Sequence, residues 1–412
     1  IADTNLAMKS AAKSPLRRSA APLLKAVLVI GLVIYVLTSI DWRDNLISYD
    51  EFGFIEYTKP VTVVGGWNRP DVTVRTDSGE KILVSTSAQS ATVKWELTPG
   101  LITYIKNCSA LYISLAFLLV LSSVLFGSAR WWWLLRTSDV RIPAFDALRY
   151  TFIGIFGNNF VPGQTGGDLV KAIYIMRRCP DSKLKAFVSV VVDRLLGLAS
   201  LVLLATIAIT WSGERFHFLA VGIWSVLAAG LVVGAALFSR RLRAAMFVDL
   251  LLKKTPDRIR NLLQQIEQAI HLYRGRKLGV CVWVAAGILN HAVLITAVMV
   301  LGYGLGVGVP VSEYFVLVPI INLVSAIPIA PQGWGIGEAL YSNLFAAYEA
   351  VHLGDIAGAE QIMRTRAVAL SLVYRVVLTV ISLLGGLVLL GEKHRVTAED
   401  VERESAGATD ID

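Results

Sequence analysis

The sequence predicts an all-α polytopic membrane protein with a small extracytoplasmic β module. Three observations carry this prediction. The 412-residue chain is 55% hydrophobic, with a mean hydropathy of +0.60. Only 17% of its residues are charged, against roughly 25% in an average soluble domain. Several apolar runs reach the roughly 18–20 residues that cross a bilayer, and one polar, alternating segment interrupts them.

The same composition narrows the function classes. The net charge of +8 does not point to nucleic acid, because basic residues in membrane proteins gather on cytoplasmic loops and fix orientation. Cys108, Cys179 and Cys281 form no CxxC pair, and the five histidines make no HExxH or HxH cluster. No metal or other cofactor is therefore expected.

Residues 1–40 read as a cytoplasmic N-terminus and a signal-anchor span. The chain begins at Ile1, and a natural start is expected at Met8. Lys9, Lys13, Arg17 and Arg18 precede the apolar run Leu23–Ile40, and no small-x-small cleavage site follows it.

Residues 41–106 change character. VTVVGGW, DVTVRTDSGEKILVSTS and ATVKWEL are β-branched and alternating, and Asp77-Ser78-Gly79 suits a hairpin turn. The segment holds nine acids and seven bases, which suits a translocated, β-rich module. It carries no catalytic constellation and reads as a cap or as a docking surface for an extracytoplasmic partner.

Residues 107–391 read as the membrane domain, with full spans near 108–130, 186–210, 217–238, 278–303 and 367–391. With the anchor this makes about six. Trp131-Trp132-Trp133, flanked by Arg130 and Arg136, reads as an interface anchor on the cytoplasmic side. The loops holding RRCPDSKLK, SRRLR and RGRK are basic, hence cytoplasmic; those holding WSGERFHF and AYEAVHLGDIAGAEQ are neutral or acidic, hence outside. Thr255, Pro256 and Asp257 begin an amphipathic helix whose face holds Ile259, Leu262, Leu263, Ile266 and Ile270; it suits the inner membrane surface. Residues 392–412 read as a disordered cytoplasmic tail, so that both termini of this multi-pass protein lie in the cytoplasm.

Two segments do not read as ordinary spans. In Phe145–Met176 the apolar run stops at Pro162-Gly163, and a short helix starts after Gly166-Gly167 with Asp168 and Lys171. In Glu313–Ala350 the run stops at Pro331, and a helix starts after Gly333 and Gly335 with Glu338. The acid follows the proline by six residues in one case and by seven in the other. Asn158 and Asn159 precede the first break, and Asn322 precedes the second. Each break is followed by a span with an interior arginine: Lys185 to Arg194 is nine residues, and so is Arg366 to Arg375. The order suggests an internal repeat. The flanking charges place the first pair as re-entrant from inside. The second is either re-entrant from outside or two short spans. An inverted repeat with broken helices is an arrangement that secondary transporters use.

The chemistry of these residues points to a polar cavity. Irregular backbone at membrane depth is tolerated where protein or a water-filled cavity satisfies it. A new helix aims free N–H groups at that cavity, which makes an anion site. Asp168 and Glu338 also suit the first helical turn as plain caps. Arginine inside a span costs about 2.5–3.5 kcal/mol and marks a functional pathway by default. Guanidinium fits phosphate oxygens well. The alternative is pairing within the bundle, Arg194 with Asp193 or Asp168 and Arg375 with Glu338. Asn290-His291 reads as a helix-packing pair or a ligand contact.

NNFVPGQTGGDLVKA, VVVDRLLGL and PQGWGIGEAL, in this order, resemble the signature segments of the lysylphosphatidylglycerol synthase transmembrane-region family. These are the flippase-like membrane domains of the multiple peptide resistance factor and of stand-alone proteins. The resemblance covers roughly 108–391. It implies a membrane domain that moves lipid headgroups across the bilayer. By motif it marks Asn159, Pro162, Gly163, Gly166, Gly167, Asp168, Asp193, Arg194, Pro331, Gly333, Gly335 and Glu338; Asn158, Lys171 and Arg375 join them as substrate-binding residues from the reading above. No catalytic residue is expected. The sequence departs from the full resistance factor after the last span, so no aminoacyl-transfer domain is expected and the protein reads as a transporter rather than an enzyme. The β module is a second departure and leaves the lipid open.

The expectation is thus a lipid translocase for an anionic or phosphate-bearing lipid in the cytoplasmic membrane. The alternative is a membrane enzyme or an assembly partner handling lipid-linked sugars. The bilayer and its lipid are the expected partners, nucleic acid is not, and a homo-oligomer stays open.

Overall fold

The computed structural model describes residues 27, 30–49, 55–65, 71–85, 94–159, 166–238, 277–327, 333–354 and 358–391. Residues 30–38 are helical; the rest of the expected anchor, the amphipathic helix after Thr255 and the tail after Gly391 lie outside the described residues.

Five strands follow: β1 Asp44–Tyr49, β2 Ile55–Gly65, β3 Asp71–Thr76, β4 Lys81–Ser85 and β5 Lys94–Thr98. They form one antiparallel sheet in the order β4-β3-β2-β1-β5. The alternation in the sequence sets which face is covered. Val72 and Val74 are buried while Arg75 is exposed, and Leu46, Val61 and Val84 complete the small core. The turn between β3 and β4 is the one that Asp77-Ser78-Gly79 predicts: Gly79 has φ +87° and donates its N–H to the Thr76 carbonyl at 2.9 Å.

Asp44 fastens the sheet to the membrane part. Its Oδ1 accepts the Gly100 N–H at 2.8 Å, and its Oδ2 accepts the Val63 N–H and the Thr103 hydroxyl, each at 2.9 Å. Gly100 leads into the short helix α1 Leu101–Asn107. Tyr104 of that helix is buried, and its hydroxyl accepts Arg366 Nε at 3.0 Å.

Among the described residues, five long helices are apolar enough to cross a membrane. They are α2 Ala110–Thr137, α5 Lys183–Thr210, α6 His217–Phe238, α7 Lys277–Leu305 and α10 Ala359–Leu390. At about 1.5 Å per residue they exceed the roughly 30 Å of a hydrocarbon core. Besides α1, four described helices are shorter: α3 Ala144–Gly157, α4 Gly166–Arg178, α8 Val311–Ser325 and α9 Ile336–Glu349, of 14, 13, 15 and 14 residues. Each falls short of the about 20 residues a span needs.

Helix α2 packs on α7, α9 on α10, α3 on α4 and on α10. Leu301, Leu317, Phe345, Val368 and Leu370 are among the fully buried residues of the main core. Close approach is built in where α3 crosses α10. A Cβ at Gly385 would strike the Phe152 carbonyl, so only glycine lets these backbones meet.

The tryptophan triplet does not act as one interface belt. Successive helical residues point about 100° apart, so the three rings go three ways. Trp131 is fully buried and donates Nε1 to Ser189 Oγ at 3.1 Å. Trp132 donates to the Ile142 carbonyl at 2.9 Å, and Trp133 meets Trp283 with ring centres 5.8 Å apart.

Candidate functional site

Two helix starts define the site. Helix α4 begins at Gly166-Gly167. The Gly167 N–H donates to Asn158 Oδ1 at 2.7 Å, and a Cβ on Gly167 would overlap the Gly154 carbonyl. Glycine here lets α3 and α4 lie backbone to backbone and sets Asp168 at the head of the new helix. Helix α9 begins after Gly333 and Gly335, with φ of +72° and +80°. That left-handed backbone favours glycine. Glu338 then caps the helix: its Oε2 accepts the Gly335 N–H at 2.7 Å.

Each helix start meets a buried ion pair. Arg375 donates Nε to Glu338 Oε1 and Nη2 to the Gly333 carbonyl, the latter at 3.2 Å. Its guanidinium lies over the Trp334 ring, 4.6 Å from the centre. On the other side Asp193 takes two cations. Arg130 Nε reaches its Oδ1 at 2.7 Å, and Lys171 Nζ its Oδ2 at 3.4 Å. Lys171 also stands 3.9 Å from the centre of the Trp131 ring. Buried charges require such pairing, because an unpaired one would cost several kcal/mol.

Arg194 differs. Its Nη1 is 3.8 Å from Asp168 Oδ2, and both side chains are about one-third exposed, at 31% and 35%. Its Nε makes no hydrogen bond among the described residues.

Between the two helix starts lies a cavity of about 400 Å³. Asn158, Asp168, Asp193 and Arg194 line it from one side, and Asn322, Ser325, Tyr341 and Arg375 from the other. Arg130, Lys171, Arg194 and Arg375 face three acids, Asp168, Asp193 and Glu338, in or just behind this lining. One formal positive charge is in excess. Ser325 and Tyr341 line the same space, and their hydroxyl oxygens are buried without a hydrogen-bond partner among the described residues. With Arg194 Nε they make three unpartnered polar groups on cavity-lining residues, a pattern that suits an anion bound close by.

The structure thus brings together Asn158, Asp168, Asp193, Arg194 and Arg375 around the cavity. Lys171 and Glu338 stand behind Asp193 and Arg375. Gly166, Gly167, Gly333 and Gly335 shape the helix starts. Asn159 turns away and donates to Ser382 Oγ at 2.5 Å. Pro162, Gly163 and Pro331 lie outside the described residues. His291 meets the Gly197 carbonyl at 3.0 Å, a packing contact, while also bordering the cavity. Arg130, Ser325 and Tyr341 were not anticipated. A signal for Arg130 exists, since the helix runs on to Thr137 and leaves it interior.

The chain matches the model of the lysylphosphatidylglycerol synthase TM region over residues 98–386. It belongs to that family. The family region begins at the end of β5, so nearly all of the sheet precedes it. Over 140 residues the chain is 29% identical to the UPF0104 membrane protein PH1989 of Pyrococcus horikoshii. That match spans 33% of this chain and 42% of the relative. The protein is thus a multi-pass membrane member of the lysylphosphatidylglycerol synthase TM-region family, mostly helical, with a small five-stranded sheet.

Proposed function

We propose that this family member is a lipid translocase that passes an anionic, phosphate-bearing headgroup through the cavity between α4 and α9. The observation that carries this is the set of unpartnered polar atoms, Arg194 Nε, Ser325 Oγ and Tyr341 Oη, on residues lining a cavity with one excess positive charge. A phosphodiester supplies the acceptor oxygens and the charge that such a lining lacks. The polar space suits the headgroup, and the acyl chains stay in the bilayer.

We read α3–α4 and α8–α9 as re-entrant pairs that dip from opposite faces of the cytoplasmic membrane. Their short lengths and the matching order of break, acid and arginine support this. The basic residues Lys183 and Lys185 at the start of α5 favour entry from the cytoplasmic leaflet, where they attract anionic headgroups by about 1 kcal/mol each near the surface.

Reconstitution tests the reading. Purified protein in liposomes with a headgroup-labelled phosphatidylglycerol should make inner-leaflet label accessible to an external quencher. Label that stays as protected as in protein-free liposomes, across several anionic phospholipids, would count against translocation.

A further inference from the structure

At the end of the bundle that carries the sheet, four polar residues from three segments converge. Glu313 lies in the first turn of α8, Glu349 ends α9, His352 sits in the following 3₁₀ turn Ala350–Leu353, and Arg215 comes from the turn Glu214–Phe216 before α6. Nothing in the translocation reading uses them.

Glu349 is the residue that needs explaining. It is fully buried, and neither carboxylate oxygen accepts a hydrogen bond among the described residues. Its Oε2 faces His352 Nε2 at 3.3 Å and Arg215 Nη2 at 3.9 Å. A buried carboxylate is ordinarily held by hydrogen bonds, by an ion in contact, or by a metal. The first is missing here, and the second is supplied only loosely, by Arg215 at 3.9 Å and by His352 at 3.3 Å if it is protonated.

The surrounding geometry suits the third. His352 Nε2 is 2.8 Å from Glu313 Oε2 and 3.3 Å from Glu349 Oε2. One ligand atom from each of the three residues falls within a common 4.8 Å. Ligand atoms bound at about 2.0–2.1 Å around a tetrahedral zinc ion are separated by roughly 3.3 Å. The Glu-x-x-His spacing of Glu349 and His352 puts carboxylate and imidazole on one helical face, an arrangement helical proteins use for metals. Arg215 contacts the other oxygen of Glu313, Oε1, and so leaves Oε2 facing the site.

We propose that Glu313, Glu349 and His352 form a binding site for a divalent first-row transition metal, with zinc the best-matched probe. Two carboxylates and one imidazole make a hard-to-borderline ligand set, and imidazole favours zinc over calcium or magnesium. Arg215 is the competing occupant. Its Nη2 stands 3.4 Å from His352 Nε2, so its guanidinium must swing toward solvent when the metal enters. The metal would fasten the start of α8 to the end of α9.

The test uses the full chain, purified in detergent and stripped with a chelator. Zinc is titrated calorimetrically, and bound zinc is counted after desalting. One zinc per chain is expected, with affinity falling more than about tenfold in His352→Ala and in Glu349→Gln. Arg215→Ala should bind zinc more tightly than the wild type. Cobalt(II) gives a readout that needs no variant, since an imidazole–carboxylate site produces visible d–d absorption that added zinc abolishes. No zinc bound by either wild type or Arg215→Ala would overturn the site and leave a plain ion-pair cluster. So would affinity unchanged in both ligand variants.

Discussion

Arg375 and Glu338 form one buried unit in which the carboxylate does two jobs: it holds the guanidinium and it caps the first turn of α9. Both side chains are nearly excluded from solvent, at 9% and 5% exposure. Arg375→Ala would leave a buried acid without its cation, which costs about 3–5 kcal/mol. The expected outcome is a clear drop in the unfolding temperature in detergent together with loss of lipid transfer. The double variant Arg375→Met/Glu338→Gln should regain most of the stability but none of the transfer. Equal instability of the single and double variants would show that the pair is not what holds α9.

Arg194 should behave in the opposite way. Its pair with Asp168 is long and one-third exposed, and such pairs contribute about 0–1 kcal/mol. Arg194→Ala should therefore accumulate and unfold like the wild type while losing transfer. Arg194→Lys should recover only part of it, because an ammonium lacks the planar fork that binds two phosphate oxygens. Wild-type transfer by Arg194→Ala would remove this residue from the pathway.

Gly167→Ala tests the backbone contact. The added methyl overlaps the Gly154 carbonyl, so α3 and α4 must part, at a cost of about 1–3 kcal/mol. Gly222→Ala on α6 is the control, since nothing lies within 4 Å of the added Cβ. Thermal unfolding should separate the two variants; similar midpoints would mean that α3 and α4 do not meet backbone to backbone.

Asp44→Ala should loosen the sheet and spare the membrane helices. It strips the acceptor from the Gly100 and Val63 amides and from the Thr103 hydroxyl, each costing about 1–3 kcal/mol if left buried and unbonded. Limited proteolysis should cut within residues 44–98 much faster than in the wild type, with lipid transfer retained.

Neutralising Lys183 and Lys185 together should slow uptake from the inner leaflet at low salt. The deficit should fade at high salt, because surface charges are screened within about 8 Å at 0.15 M. A deficit that persists at high salt, or that affects outer-leaflet uptake alone, rules out entry from the cytoplasmic side.

Some of this was legible in the chain and some was not, for physical reasons. The long helices could be read because each carries an unbroken apolar run, and the helix starts because glycine and an acid mark them. Two cavity pairings were offered by the sequence and are present, Arg194 with Asp168 and Arg375 with Glu338; the partners of Asp193 were not. Asp193 and Arg194 are sequence neighbours, and neighbours on a helix do not face each other. The partner Asp193 does take, Arg130, lies 63 residues away. The β strands were visible from alternation, but alternation does not say that β5 returns to lie beside β1. The Glu313–His352 contact spans 39 residues across a helix pair and leaves no local pattern.

The junction between sheet and bundle has a mechanical consequence. The Asp41 N–H donates to Thr365 Oγ1, Gln361 reaches the Ser39 carbonyl, and Arg366 grips Tyr104. All three anchors are on the first turns of α10, the same rod that carries Arg375 nine residues on. Nine residues of α-helix are about 13.5 Å of stiff shaft. A load on the segments that flank the sheet is therefore borne by the same helix that holds Arg375 beside the cavity. The two ends of the protein share one stiff beam.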